Sequence, residues 1–398
     1  NESMSREWYN NLRATLAVDK SFGSHNLNVL AGYQQEDQLD RDLTAYREVF
    51  LLPDYQEINS GNRENERTGG TASHWSLSSF FGRVNYNYKE KYLFEANARY
   101  DGSSRFAKGN KYSLFPSFSA GWRIIEEPFM SSLSSTVTDL KLRASWGKLG
   151  NQNIGLYPFA AFIGIGNSNY SFDNANRTGS SLNEMANSAI KWETTTVSNV
   201  GLDLTMWSKF NFSFEYYQRR TTDILLRLDI PTMIGLTAPY QNAGIVDNKG
   251  WDMSASYRNK AGDLTYGIAV NLSDVKNKVV DMRGVSRSDR QVNNEGYGVQ
   301  SFFGYVADGF FQNASEVADH AKQFGNVAAG DIRYTDFNND GVVNAADQRI
   351  IGSPIPRYTY STNIDLGYKG FDLSVFFQGV GKADGYLTGH GIMPFFEG

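Results

Sequence analysis

The chain has 398 residues, a net charge of −5, no cysteine and an aromatic content of 14% that includes 26 Phe and 23 Tyr. The missing cysteine excludes a disulfide framework, thiolate metal sites and a cysteine nucleophile, and with no basic block there is no polyanion-binding footprint. A water-soluble domain would bury so many rings in a thick core and read as apolar, yet hydrophobic residues total only 40% and the mean hydropathy is negative. A transmembrane β-barrel resolves this, because only alternate strand residues face lipid while lumen and loops stay polar.

Strict apolar/polar alternation predicts twelve strands, over 6–19, 25–36, 74–88, 91–101, 112–125, 139–147, 190–206, 210–222, 246–258, 264–275, 357–369 and 371–382. In 210–216 (FNFSFEY) the even positions are aromatic and the odd ones polar; Phe94, Ala96, Ala98 and Tyr100 alternate with Glu95, Asn97 and Arg99 in the same way. Alternation by itself does not choose between lipid and water. The connections do. Links within successive pairs are short, at 88–91, 207–209, 259–263 and 369–370, with one longer link near 126–138 that accommodates a short helical turn. Links between pairs are long, at 37–73, 148–189, 223–245 and 276–356, with 102–111 of moderate length. Short turns at one end and long loops at the other mark an outer-membrane barrel, with turns periplasmic and loops extracellular. Aromatics bracket the short turns (Tyr88 with Tyr92, Trp207 with Phe210, Tyr368 with Phe371), as a girdle at the headgroup boundary requires, although cross-strand aromatic pairs of any sheet share this pattern. Strand 371–382 then runs outward, which places the residues up to Gly398 in an extracellular loop.

A membrane helix is not available: the best uncharged run, Gly155 to Gly166, is interrupted by Pro158 and falls short of the roughly 20 apolar residues a spanning helix needs. The start of the chain, NESM, has no charged-then-apolar leader.

One local motif carries ion chemistry. From Asp336 to Asp347 (DFNNDGVVNAAD), oxygen side chains occupy positions 1, 3, 5, 9 and 12, and Gly341 occupies position 6. Ca²⁺ takes six to eight hard oxygens, and this spacing wraps a loop around it with the carbonyl of position 7 joining in. The expected ligands are Asp336, Asn338, Asp340, Val342 through its carbonyl, Asn344 and Asp347. Asp at position 12 reaches less far than the usual Glu, so the pattern is nearer a dockerin-type loop than a sensor EF-hand. The competing reading is a surface turn rich in Asx and Gly. The calcium reading makes 330–352 a pinned segment within an extracellular loop.

Enzyme chemistry has no foothold. His25, His74, His320 and His390 show no metal-ligand spacing, Gly164-Ile165-Gly166 lacks a third glycine and a following helix, Gly381-Lys382 is not a phosphate loop, and no Gly-x-Ser-x-Gly turn occurs.

The runs GRVNYNYKEKY (82–92), RYDGSSRF (99–106), FPS (115–117), GWR (121–123), LKLRASWGKLGN (140–151), SNVGLD (198–203), NKGW (248–251) and FGY (303–305) resemble the SusC/RagA family of TonB-linked outer-membrane transporters. So does the calcium-like loop, with Gly330-Asp331-Ile332 before it and Ile351-Gly352-Ser353-Pro354 after it; residues 1–73 match less distinctly. The resemblance implies part of a barrel of about 22 strands with a plugged lumen. It further implies a SusD-like surface lipoprotein as partner and import of oligosaccharides or peptides energised through TonB. It also implies that the plug, the TonB-contacting segment and the closing strands lie outside this chain. Two other readings compete. A complete passive pore of twelve strands calls for a closing strand ending in an aromatic, which Glu397-Gly398 does not supply. A secreted, calcium-stabilised glycan-binding adhesin calls for folding in water. Aromatic-rich stretches at 157–170 and 297–311 are candidate sugar-stacking surfaces.

Overall fold

The structure is a computed structural model that describes residues 1–387 except 52, 53, 56, 166–169, 173, 285, 288 and 289. His390, the end of the chain and part of the 157–170 stretch therefore lie outside the described residues. Twelve long strands form one antiparallel sheet, each hydrogen-bonded to the next in sequence. They are β1 (Glu2–Phe22), β2 (His25–Phe50), β3 (Gly61–Tyr88), β4 (Tyr92–Ser103), β5 (Tyr112–Arg123), β6 (Val137–Asn151), β7 (Glu193–Met206), β8 (Phe210–Arg227), β9 (Tyr240–Ala261), β10 (Leu264–Asp281), β11 (Arg357–Tyr368) and β12 (Phe371–Lys382). Every predicted strand is present, and the pairs are joined at one end by short turns such as 23–24, 262–263 and 369–370. The longer link between β5 and β6 holds two short 3₁₀ turns, Ile124–Glu126 and Pro128–Leu133.

The outward ends differ from expectation. β2 continues to Phe50 and β3 begins at Gly61, so the link predicted over 37–73 is mostly ladder. β8, β9 and β10 likewise overrun their predicted limits. The reason is physical: apolar alternation records only the part of a strand that meets lipid, whereas backbone pairing continues above it. Residues 34–48 (QQEDQLDRDLTAYRE) are mostly polar and keep a regular register with β3 as far as Tyr46↔Arg67.

Burial on the strands settles which solvent they face. On β4, Tyr92, Phe94 and Tyr100 are exposed, while Glu95, Asn97, Arg99 and Asp101 on the other face are half-buried. On β5, Leu114, Phe118 and Trp122 are exposed, while Phe115 is buried and Ser113, Ser117 and Ser119 are half-buried. A sheet folded in water buries its apolar face. Here the apolar face is outermost, with large and small residues paired across it (Phe94↔Ala120, Ala96↔Phe118) so that the surface is even. Tyr88 stacks on Tyr92 at 6.4 Å beside the short turn, and Tyr100 stacks on Tyr112 at 5.0 Å near the other end of β4. The segment between these aromatic levels matches the roughly 9–11 residues of a membrane-spanning strand.

Glycines carry rings on both faces of the sheet. Phe81 lies over Gly32, its direct cross-strand partner, and Tyr112 over Gly102; Tyr360 covers Gly379, and Tyr217 covers Gly250. Each glycine leaves room for an aromatic side chain to fold flat across the ladder, where a Cβ would collide with it.

The contacts group the residues into two compact units. One comprises Asn1–Glu127, Arg143–Ser198 and Thr221–Ala243; the other comprises Pro128–Leu142, Asn199–Arg220 and Gly244–Gly398. In the first unit the apolar core is not in the sheet but at its loop end: Phe106, Phe115, Ile154, Ile190 and Trp192 pack together, with Leu77, Phe159, Leu225 and Tyr240 against them. In the second unit the buried Val279, Val292, Phe311 and Val343 likewise belong to the outer end of β10 and the segment after it.

Candidate functional site: outward segments and the Asx-rich turn

The segment between β10 and β11 is an ordered subdomain of the second unit. Short strands Ser286–Arg287, Gln291–Asn293, Ser301–Gly304 and Arg349–Gly352 form one small sheet, and Ala307–Phe310 pairs with Ile332–Tyr334. It is fastened to β10 by Val279, whose N–H donates to the Tyr297 carbonyl (2.7 Å), and by Asn277, whose Oδ1 accepts from the Val299 N–H (2.7 Å). A helix at Ala314–Asp319 is capped by Asn313, which accepts from the Glu316 N–H at 2.9 Å. Arg333 holds Asp308 at 2.6 Å, and this carboxylate raises its pKa.

The predicted calcium turn lies inside this subdomain, and its side-chain oxygens are engaged by its own backbone. Asp336 accepts from the N–H groups of Asn339 (2.8 Å) and Gly341 (2.9 Å); Asn338 accepts from Asp340 N–H (3.0 Å), and Asp340 from Val342 N–H (2.8 Å). Gly341, at φ +84°, makes the sharp turn that the motif anticipates. Asn344 caps the 3₁₀ turn Ala345–Asp347, accepting from Ala346 N–H at 2.9 Å. Backbone bonds to Lys322 on both sides of Val342 hold the turn against the segment that follows the helix.

Asp347 is the centre of the turn. It is fully buried and accepts from Phe337 N–H (2.9 Å), Asn338 N–H (3.4 Å) and Asn344 N–H (2.8 Å). The Asn344 hydrogen bond is the main cause that holds its pKa below the ordinary carboxylate value. The twelfth position is thus the brace that closes the turn. Among the described residues, no group of three or more His, Asp or Glu converges as one metal-ligand cluster. Asp336 and Asp340 have no basic partner there either.

The aromatic stretches proposed for stacking on sugars are partly committed to packing. Phe311 is buried, with His320 edge-on at 5.2 Å, and Tyr305 packs with Phe324 and Tyr334 at ring separations of 5.1 and 5.6 Å. Tyr157 donates its hydroxyl to the His74 carbonyl at 2.6 Å. Tyr297, Phe310 and Phe162 remain exposed.

Sequence reading missed Asn242 and Trp192, which set the loop end of the first unit. Asn242 donates to the carbonyls of Lys191 (2.8 Å) and Asp223 (2.9 Å) and accepts from Lys191 N–H (2.9 Å), so one amide joins three backbone segments. Trp192 donates its indole N–H to Lys111 O at 3.0 Å. Neither residue stands out in sequence, because its partners lie far along the chain.

Comparison with known proteins agrees with this geometry. The profile of the family "TonB dependent receptor-like, beta-barrel" matches residues 1–381. TonB-dependent receptor P3 of Formosa agariphila is 34% identical over 378 residues, covering 91% of this chain and 38% of that receptor. TonB-dependent receptor SusC of Bacteroides thetaiotaomicron is 29% identical over 369 residues, covering 89% and 36%. Among solved structures, the RagAB peptide importer in its closed-closed state superposes with a TM-score of 0.81 at 22% identity, over 95% of this chain and 42% of that one. The outer-membrane transporter YddB of Escherichia coli gives a TM-score of 0.51 at 11% identity, over 91% and 40%. The two structures establish likeness of fold alone, and the chain spans about two fifths of the length of these relatives. The outward-facing apolar surface places the strands in lipid and sets aside a fold built in water. The chain belongs to the TonB-dependent receptor β-barrel family of the bacterial outer membrane.

Proposed function

We propose that the whole protein is a TonB-dependent importer of the SusC/RagA type that takes up oligosaccharides or peptides together with a SusD-like surface lipoprotein. This chain contributes barrel wall and outward segments, and no catalytic step is assigned to it. The observation that carries the reading is that the described residues between 282 and 356 have a packed core and capped turns of their own and leave Tyr297 and Phe310 exposed. A wall that only enclosed a hole would not require it. In whole cells producing the full-length protein, uptake of a labelled substrate is expected to stop when the proton-motive force of the inner membrane is dissipated. A SusD-like lipoprotein is expected to co-purify with it in near-equal amount. Uptake that continues without the proton-motive force would instead support the passive pore.

We also propose that the 336–347 turn takes Ca²⁺ through Asp336, Asn338, Asp340, the Val342 carbonyl and Asn344, with Asp347 closing the turn at the twelfth position. The donor set is all oxygen, and two carboxylates, Asp336 and Asp340, share one turn with no basic partner among the described residues; both features support the assignment. On the full-length protein in detergent, EDTA is expected to speed proteolysis within 330–352 several-fold while the barrel remains folded. Equal cleavage rates with and without calcium would remove the ion from the account.

A further inference from the structure

The register of β9 and β10 puts Lys249 directly opposite Lys276. Both are exposed, and both belong to the face that carries Trp251, Met253, Leu272 and Val270 toward lipid. They stand one rung beyond Trp251↔Asp274, at the end of these strands away from the short turn at 262–263. From that turn to Trp251 and Asp274 each strand covers about the length needed to cross the hydrocarbon. The lysine pair therefore stands at the outer headgroup level.

Like charges directly opposite in a ladder are unfavourable, and the nearby carboxylates are committed elsewhere. Asp274 is bound in two-pronged fashion by Arg357, at 2.6 Å to Nη2, and Asp247 pairs with Arg220 at 3.7 Å. Neither lysine has an acidic partner among the described residues. Lys278, opposite Asp247, adds a third exposed cation on the same face.

The first unit repeats the arrangement, farther along its strands from their own short turn at 23–24. Arg6 lies directly opposite Arg41 on the face that bears Leu12, Leu16 and Tyr33. Both guanidiniums stand over the Trp8 ring, at 4.3 and 5.9 Å, and neither has a carboxylate partner among the described residues. They border an open depression of about 480 Å³ that Gly70, Ala72 and Asp42 also line. Asp42 belongs to the opposite face of the ladder (it pairs with Ser5), so small residues beside two planar cations over an aromatic ring make a niche suited to a negatively charged sugar unit.

We propose that both patches hold the glycolipid of the outer leaflet: Lys249 and Lys276 take a phosphate on its lipid headgroup, and Arg6 and Arg41 take an anionic group on its saccharide. The inference rests on placement in the outer membrane and not on which solute the transporter carries.

The test uses the full-length protein in nanodiscs containing rough-type lipopolysaccharide, either native or chemically dephosphorylated. Glycolipid retained per barrel is measured after a detergent wash at low and at high salt. The wild-type protein is expected to retain the phosphorylated form several-fold over the dephosphorylated one, with the excess lost at high salt. K249Q/K276Q is expected to lose that excess, a several-fold drop in retention of the phosphorylated form. R6Q/R41Q is expected to reduce retention of the native form by a smaller factor. Equal retention of both glycolipids by the wild-type protein would overturn the proposal, and so would unchanged retention by K249Q/K276Q in a folded barrel. A change in oligomeric state with unchanged glycolipid would reassign the patches to contact between copies. Because the comparison of the two glycolipids needs no variant, it stands even if a substituted barrel fails to assemble.

Discussion

Replacing Gly250 with alanine is expected to destabilise the barrel by about 1–3 kcal/mol, the usual cost of overpacking, and replacing Tyr217 at the same time is expected to recover only part of the loss. A Cβ at position 250 would sit 2.5 Å from Cζ and Oη of Tyr217 and 2.6 Å from the carbonyl oxygen of Asp274. A ring can swing away, but a ladder carbonyl cannot. At Gly102 the three nearest obstructing atoms belong to the Tyr112 ring, so Gly102→Ala with Tyr112→Ala is expected to recover much more. The measurement is the temperature at which the folded full-length protein converts to the unfolded form on a semi-native gel. Full rescue of Gly250→Ala by Tyr217→Ala would show that the carbonyl contact does not limit the site.

Asp347→Asn is expected to raise proteolysis within 330–352 about tenfold at neutral pH, an acceleration of the kind that follows when a buried hydrogen-bond network is broken. The carboxylate accepts three backbone N–H groups on two oxygens in a fully buried position. An amide supplies one acceptor, and its NH₂ must face an N–H on the other side. The acid dependence follows from the same bonds. The folded-state pKa of Asp347 is depressed, chiefly by the Asn344 N–H. Its contribution is therefore fully present above the unfolded value of about 3.9 and is lost as the pH falls through the lower folded value. Hydrogen exchange across 336–347 is expected to be flat, after correction for intrinsic rates, down to about pH 4, and to rise below that. The Asn variant should lack this acid limb. An identical acid limb in the variant would place the titration on another group.

Short-range patterns reported the membrane part of each strand: FNFSFEY is legible as β8 because lipid on one face and lumen on the other impose a period of two residues. The same rule failed above the membrane, where residues 34–48 pair as regularly as any others but face water on both sides. The Asx-rich turn was legible as a turn from its spacing. That Asp347 is buried and braces it was not, since this depends on how Val343 and the Lys322 segment pack around it.

By itself, then, the sequence determined the twelve strands, the sorting of short and long connections, the lipid-facing residues and the family, all of which follow from local periodicity and ordered motifs. Only the tertiary structure decided the register. Register put Gly102 under Tyr112, Lys249 against Lys276 and Arg6 against Arg41, pairs whose members are separated along the chain and carry no mark of one another. The exposed lysine pair at the outer rim is a property of the folded ladder, because cross-strand neighbours arise from the alignment of whole strands and not from any short stretch of chain.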